Sequence, residues 1–326
     1  MAFICGAAAV AVVATGGTIA SCRRPDGSSI PSVPVTEMPL LRDRSSALRV
    51  RDVMAKDSAS LTLADMETIR IAVVEELSVP DTAAVVVLHG TDALEETAFL
   101  LDLQHNDPRP VVVTGAQRTA DHPEPDGPGN LRAALAAAVD PASYGRGVLV
   151  VFGERVLPAR GLYKQHTTSL DAFRSSAFRN PRRKLVKWDS IAETRVDVVA
   201  VYPGSDGAHI EASLAAGARG IVLAALGAGN ANAAVVESVR LCSARKVPVV
   251  VSTRVPEGSL AATYGGGGGG HDLLRAGALL SETLRPSQAR ILLAALLAAN
   301  SDLQTIAEAF TDCASFQEIS ARSTIS

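Results

Sequence analysis

The sequence has no cysteines at metal-binding or disulfide spacing, no basic field, no long uninterrupted apolar run and very little lysine. Cys5, Cys22, Cys242 and Cys313 form no CxxC pair and have no histidine partner at ligand spacing, in a chain too long to need covalent staples. They are expected to be reduced thiols, and no metal site is expected. A formal charge of -3 and a pI near 6.1 offer nothing to attract a polyanion, which argues against nucleic acid as a partner. The one basic cluster, Arg179 to Lys187 (RNPRRKLVK), reads as a solvated loop or linker. No apolar run reaches the roughly eighteen residues that a membrane helix needs, so no membrane association is expected. Met1 to Ala14 is apolar, but it lacks a basic flank and runs straight into Thr15-Gly16-Gly17-Thr18. It is therefore expected to remain as a strand, in a cytoplasmic protein.

Lysine is the most informative scarcity. Five lysines (Lys56, Lys164, Lys184, Lys187 and Lys246) stand among 31 basic residues, so arginine is the default cation. Arginine does not release its proton in a protein, whereas lysine can, and a lysine in a chemically suggestive place points to proton transfer. Tyrosine is scarce too: none occurs before Tyr144.

What is present is a repeated alternation of short β-branched runs and helical stretches. A chain of 326 residues is long enough for about two domains and can bury roughly three quarters of its unfolded surface. Val10 to Ala14, Val85 to Leu88, Pro110 to Thr114 and Val148 to Phe152 read as strands, with helices at about Leu63 to Leu77, after Ala93, and at Asn130 to Val139. The alternation breaks in a polar stretch from about Arg182 to Arg195. It resumes with strands at Val196 to Tyr202, Gly220 to Leu226 and Val247 to Ser252, and a final pair of helices follows Pro286. The pattern predicts an α/β protein: a larger N-terminal domain with a mostly parallel sheet (residues 1–182), a linker (183–196) and a smaller C-terminal α/β domain (197–326). Arg23 to Pro34 (RRPDGSSIPSVP) reads as a mobile loop of the lid type, and Gly265 to Gly270 as a loop without regular structure.

Three hydroxyls fall at strand ends, Thr18, Ser58 and Thr91. Open α/β sheets bind ligands at these ends. An aliphatic hydroxyl is a poor nucleophile until a base or a hydrogen-bond relay takes its proton, and Thr91, Asp92 and Lys164 are the residue types such a relay needs. The same residues equally suit a structural role, with Asp92 capping the following helix and Glu95 completing a capping box. Spacing leaves both readings open.

Thr15-Gly16-Gly17-Thr18-Ile19-Ala20 and His89-Gly90-Thr91-Asp92-Ala93-Leu94-Glu95-Glu96-Thr97-Ala98 resemble, in this order and spacing, the two signatures of the bacterial L-asparaginase (asparaginase/glutaminase) family. Further likeness runs through Gly115-Ala116, Asp126-Gly127-Pro128, Lys164 before Thr167-Thr168, Gly229-Asn230-Ala231-Asn232, Arg254-Val255-Pro256 and Pro286 to Arg290. Asp57 to Thr62 is more similar to cytosolic members. The resemblance implies hydrolysis of L-asparagine to L-aspartate and ammonia without a cofactor. Thr18 is the implied nucleophile, forming a β-aspartyl ester. Thr91 and Lys164 are the second catalytic pair, and Asp92 holds the lysine and the substrate α-amino group. Ser58 binds the α-carboxylate, and Ala116 supplies a backbone contact. Asn232 belongs to a C-terminal domain that approaches a partner's site, which implies a homodimer or a tetramer built from dimers.

Two departures from the family pattern matter. The lid tyrosine common in the family is missing, and Ser28 or Ser29 falls nearest its place. The acidic residue often donated in trans has no clear equivalent in Leu260 to Gly270, which carries Tyr264 instead. Tyr264 is the candidate for supplying the phenol from a neighbouring subunit. Ala59 stands where relatives often carry a polar side chain, which favours asparagine over glutamine. The missing lid tyrosine motivates one alternative, a catalytically impaired homologue that binds Asn or Asp; a second alternative is an amidase subunit that supplies ammonia to a larger assembly.

Overall fold

The computed structural model describes residues 9–38, 41, 48–176 and 185–311, and the chain divides into two compact units at Leu185/Val186. Most of the basic cluster, together with Cys5 and Cys313, lies outside the described residues. Of the other cysteines, Cys22 is half-buried and Cys242 buried, and both are free thiols. No described helix is long and apolar enough to cross a membrane.

In the larger unit, β1 (Ala9–Gly16), β4 (Leu48–Lys56), β5 (Thr82–Leu88), β6 (Val111–Thr114), β7 (Val148–Phe152) and β8 (Arg155–Pro158) form a sheet in the order β4-β1-β5-β6-β7-β8. All neighbours are parallel except β7 and β8. The register places Val50, Val12, Val86, Val112 and Leu149 in one row across the sheet. Because side chains alternate along a strand, each apolar run feeds both faces. Val13, Val85, Val87, Val111 and Val150 pack with Ile69 and Val73 of α1 (Leu63–Ser78) and with Ala98 and Leu101 of α2 (Leu94–Gln104). Val12, Val86, Val112 and Leu149 pack on the opposite face with Leu131, Ala134 and Ala138 of α3 (Gly127–Val139). β1 thus lies between β4 and β5. The chain's winding sense reverses there, opening a crevice at the carboxyl ends of β1 and β5.

Several local features differ from the sequence expectation. β4 is a full strand that the sequence reading passes over. Its outward arginines hide the strand pattern, and they are balanced by α1, with Arg51 2.6 Å from Glu75 and Arg49 3.0 Å from Glu76. Charged edge strands of this kind resist pairing with other chains. The predicted mobile lid contains a two-stranded hairpin, β2 (Ser21–Arg23) with β3 (Ser29–Pro31), turned at Asp26-Gly27. It is anchored by Ala120 N–H to the Ser21 carbonyl and by Arg23 N–H to Asp121. Thr62 and Asp65 form the capping box of α1. α3 starts three residues earlier than expected because Pro128 suits the first helical turn.

In the smaller unit, β11 (Val196–Ala200), β12 (Gly220–Ala225), β13 (Val249–Thr253) and β14 (Leu279–Leu280) form a parallel sheet in chain order. One face packs Val199, Leu223 and Val251 with Ile210 of α4 (Ala208–Ala215), Val236 and Val239 of α5 (Ala233–Ala244) and Leu273 of α6 (Gly270–Arg275). The other face takes α7 (Pro286–Ala298), so close at Gly220 that a Cβ there would stand 2.8 Å from Leu293. The glycine run is irregular only through Gly269, since Gly270 already opens α6. α8 (Leu303–Thr311) follows. The polar stretch before β11 is not wholly solvated: Trp188 and Ile191 are buried.

Candidate active site

The crevice is built from turns that leave strand ends and are pressed together by glycines. Gly17 has φ +79°, and a Cβ on it would stand 2.4 Å from both Cα and N of Gly90. A Cβ on Gly90 would in turn meet the Ser58 Oγ at 2.6 Å. Only hydrogen fits in this stack, so the turns carrying Thr18, Ser58 and Thr91 are held in backbone contact. Further bonds fix them. Thr15 Oγ1 donates to the Leu88 carbonyl at 2.8 Å, Gly17 N–H to the Lys56 carbonyl at 3.0 Å, and Ser21 Oγ to the Gly17 carbonyl at 2.9 Å. Thr18 itself is half-buried and begins a short 3-10 turn, Thr18–Ala20.

Lys164 ends β9 (Leu162–Lys164), which pairs with β10 (Phe173–Ser175) in a separate small sheet. Its Nζ donates to Thr91 Oγ1 at 2.8 Å and to Asp92 Oδ1 at 2.7 Å. Its backbone N–H donates to the Glu95 carboxylate. The lysine is thus held at both ends by the segment 91–95, with its side chain 18% exposed against 58% for Asp92. The Asp92 carboxylate therefore keeps an open flank while it orients the ammonium. The capping alternative is overturned here. α2 starts at Leu94 with no side-chain cap, because Asp92 and Glu95 are committed to Lys164. Ser58 is buried and accepts the Asp92 backbone N–H at 3.1 Å, leaving its own proton available.

His89 lies beneath these turns. It is sealed from solvent, donates from Nδ1 to the Gly90 carbonyl at 2.7 Å, and has no partner at Nε2. Burial pushes its pKa down from 6.5 to about 4, so the ring is neutral and serves structure.

Ala116 is fully buried in the turn after β6, near Ile19 and Gly127. No sequence pattern assigns a role to the residues that hold this turn. The Asp126 carboxylate accepts the backbone N–H groups of Gln117 at 3.0 Å and Arg118 at 2.9 Å, and Asn130 donates to the Gly115 carbonyl at 2.9 Å. Asp126 sits at the N-cap of α3 without capping it, because it braces the turn instead. Gln117 reaches the Thr91 hydroxyl. An Asp and an Asn at a helix start ordinarily signal capping, which conceals such a use.

Asn232 and Tyr264 belong to the smaller unit. Asn232 caps α5, accepting Val235 N–H at 3.1 Å and donating to the Ser205 carbonyl at 2.7 Å. Tyr264 has 64% of its surface exposed, in the loop before α6.

Two family models cover nearly the whole chain: "Asparaginase, N-terminal" matches residues 9–190, and "Glutaminase/Asparaginase C-terminal domain" matches residues 195–310. The chain belongs to the asparaginase family. Among its relatives, the probable L-asparaginase of Deinococcus radiodurans is 36% identical, over 93% of this chain and 97% of that protein. The L-asparaginase of Bacillus licheniformis is 33% identical over 89% and 95% of the two chains. L-asparaginase 2 of Escherichia coli is 31% identical over 92% of each. The crystal structure of a probable cytoplasmic L-asparaginase from Campylobacter jejuni superposes with a TM-score of 0.79 at 26% identity, covering 93% of this chain and 99% of that one.

Proposed function

We propose that the protein hydrolyses L-asparagine to L-aspartate and ammonia through a threonine nucleophile. The observation that carries this reading is the Lys164–Thr91–Asp92 hydrogen-bonded group lying against the Thr18 turn through the Gly17–Gly90 contact. In this scheme Thr18 Oγ1 attacks the side-chain amide carbon and forms a β-aspartyl ester. The threonine proton goes to the departing nitrogen, which leaves as ammonia, and water then cleaves the ester and restores the hydroxyl. Thr91 and Lys164 manage the protons. The open flank of Asp92 takes the substrate α-amino group, and the free Ser58 proton meets the α-carboxylate. Backbone N–H groups at the strand ends and a contact from Ala116 steady the developing oxyanion. No cofactor enters any step.

Asn232 joins this scheme from a partner subunit, in a homodimer or a dimer of dimers. Its contribution is indirect, since its amide is spent on α5 and Ser205. Tyr264 supplies from a partner the phenol that the hairpin lacks. The Ser28 hydroxyl at the hairpin turn is already donated to Asp26 at 2.6 Å. The protein works in the cytoplasm on a small-molecule substrate.

Asparagine and glutamine differ by one methylene, worth about 1–3 kcal/mol of discrimination in a pocket. Ala59 offers no polar grip on the longer amide. Ammonia release measured on asparagine, glutamine and simple aliphatic amides should show the highest kcat/KM for asparagine; equal efficiency on asparagine and glutamine contradicts the preference. The missing hairpin phenol favours, as the second reading, an impaired homologue that binds Asn or Asp. The same assay, paired with a binding measurement, identifies it by ligand binding without ammonia.

A further inference from the structure

We propose that Gln117 is a positioning residue that sets the direction of the Thr91 hydroxyl and closes a ring of bonds around Lys164. The proposal rests on the amidase reading above for its effect on rate, while its geometric basis is independent of it.

The orientation of the Gln117 amide is forced by its neighbours. One end faces the backbone carbonyls of Thr167 at 3.3 Å and Ser169 at 3.1 Å, which can only accept, so Nε2 must lie there. Oε1 is thereby turned to Thr91, whose hydroxyl lies 3.2 Å away. Oε1 can only accept, so the Thr91 proton is committed to it. The Thr91 lone pairs are then left to receive Lys164 Nζ–H at 2.8 Å. Each direction follows from the one before it: carbonyls fix Nε2, Nε2 fixes Oε1, Oε1 fixes the Thr91 proton, and that proton fixes which face of the oxygen Lys164 meets. Aligned bonds of this kind polarise one another.

The ring closes through the backbone, since Thr167 and Ser169 follow Lys164 by a few residues. Gln117 therefore ties together the turn after β6, the Thr91 turn after β5 and the segment after β9. Its own backbone does not drift, because Asp126 grips the N–H groups of Gln117 and Arg118. Gln117 performs no chemistry in the proposed scheme. It keeps Thr91 and Lys164 paired in one direction between turnovers.

Two substitutions separate the acceptor from the tether. Gln117→Met keeps the length and loses both functions. Gln117→Glu keeps an acceptor for Thr91 and loses the donor to the two carbonyls. With thermal melting confirming a folded protein, Gln117→Met should lower kcat about tenfold, one hydrogen bond's worth, with KM changed much less. Gln117→Glu should recover most of the loss. A Met variant with unchanged kcat, or Met and Glu variants slowed alike, overturns the proposal, because a tether alone gains nothing from a carboxylate.

A second readout does not depend on turnover. With five lysines in the chain, selective 13Cε labelling gives few signals, and Lys164 is assigned by its loss in Lys164→Arg. In Gln117→Met at fixed pH, the Lys164 signal should move while that of Lys56, paired with Asp65, stays in place. An unmoved Lys164 signal overturns the proposal. Wild-type protein that releases ammonia from no amide would dismiss the amidase reading, and the Lys164 signal would still decide the role of Gln117.

Discussion

His89 shows how a single side chain records the cost of assembling this site. Its imidazole is sealed under the Thr91 turn with one nitrogen bonded and the other unpartnered, and burial holds its pKa near 4 against 6.5 in water. The folded state therefore resists a proton that the unfolded chain accepts readily, so stability drops as pH falls from about 6.5 towards 4. The full difference is about 3 kcal/mol, with about 2 kcal/mol of it lost between pH 7 and pH 5. Urea unfolding of the wild type and of His89→Asn at these two pH values should show a smaller acid loss in the variant. As a check that needs no variant, the His89 ring signals should still report a neutral imidazole at pH 5.5; a charged ring there contradicts the account. Asp92 carries the complementary lesson. Its place before a helix suits a capping role, and the structure commits it to Lys164 instead, because a half-buried ammonium needs its partner more than a helix start needs one more acceptor.

At the scale of elements, the candidate active site is a consequence of close backbone approach. β1 and β5 are adjacent in the sheet, and their following turns meet through Gly17 and Gly90 with no room for a methyl group. Gly90→Ala would drive a Cβ into Ser58 and should cost roughly 1–3 kcal/mol of stability as an overpacking change. Its effect on activity should be larger: a displacement of about 1 Å between reacting groups costs on the order of 100-fold in rate. A melting curve and kcat/KM measured on the same preparation test this, and a Gly90→Ala enzyme with near-normal efficiency would show that the stack is not required.

The elements also show what could be read in advance. Buried strands of the large sheet were legible because Val-rich runs that are apolar on both faces have few other uses. The edge strand β4 was not, since its alternating arginines resemble a surface segment until Glu75 and Glu76 of α1 are known to face them. The hairpin β2–β3 was hidden by a composition that also suits an irregular loop. Asp126 and Asn130 are hidden as site supports because their partners are backbone groups of the preceding turn, and Gln117 because its partners, the Thr91 hydroxyl and the Thr167 and Ser169 carbonyls, lie on distant segments that no sequence pattern links.

At the scale of the whole molecule, the larger unit holds Thr18, Ser58, Thr91, Asp92, Ala116 and Lys164, while Asn232 and Tyr264 lie in the smaller one. The proposed chemistry thus asks the smaller unit of a partner subunit to complete the site. Tyr264→Phe should lower the amidase rate by about 100-fold or more if its phenol acts in proton transfer. A near-normal rate would return Tyr264 to the role of a surface residue beside the glycine loop. Sequence motifs alone suggested which residues share the site. The stacking of Gly17, Gly90 and Ser58 supplies the physical reason that distant segments meet there.

In the proposed chemistry everything turns on attack of the Thr18 hydroxyl on the substrate amide. Ammonia release from asparagine by the wild type and by Thr18→Ala, with circular dichroism and melting confirming that both are folded, tests it most directly. The account predicts activity in the wild type and its loss in Thr18→Ala; a folded Thr18→Ala protein that still releases ammonia from asparagine would contradict it.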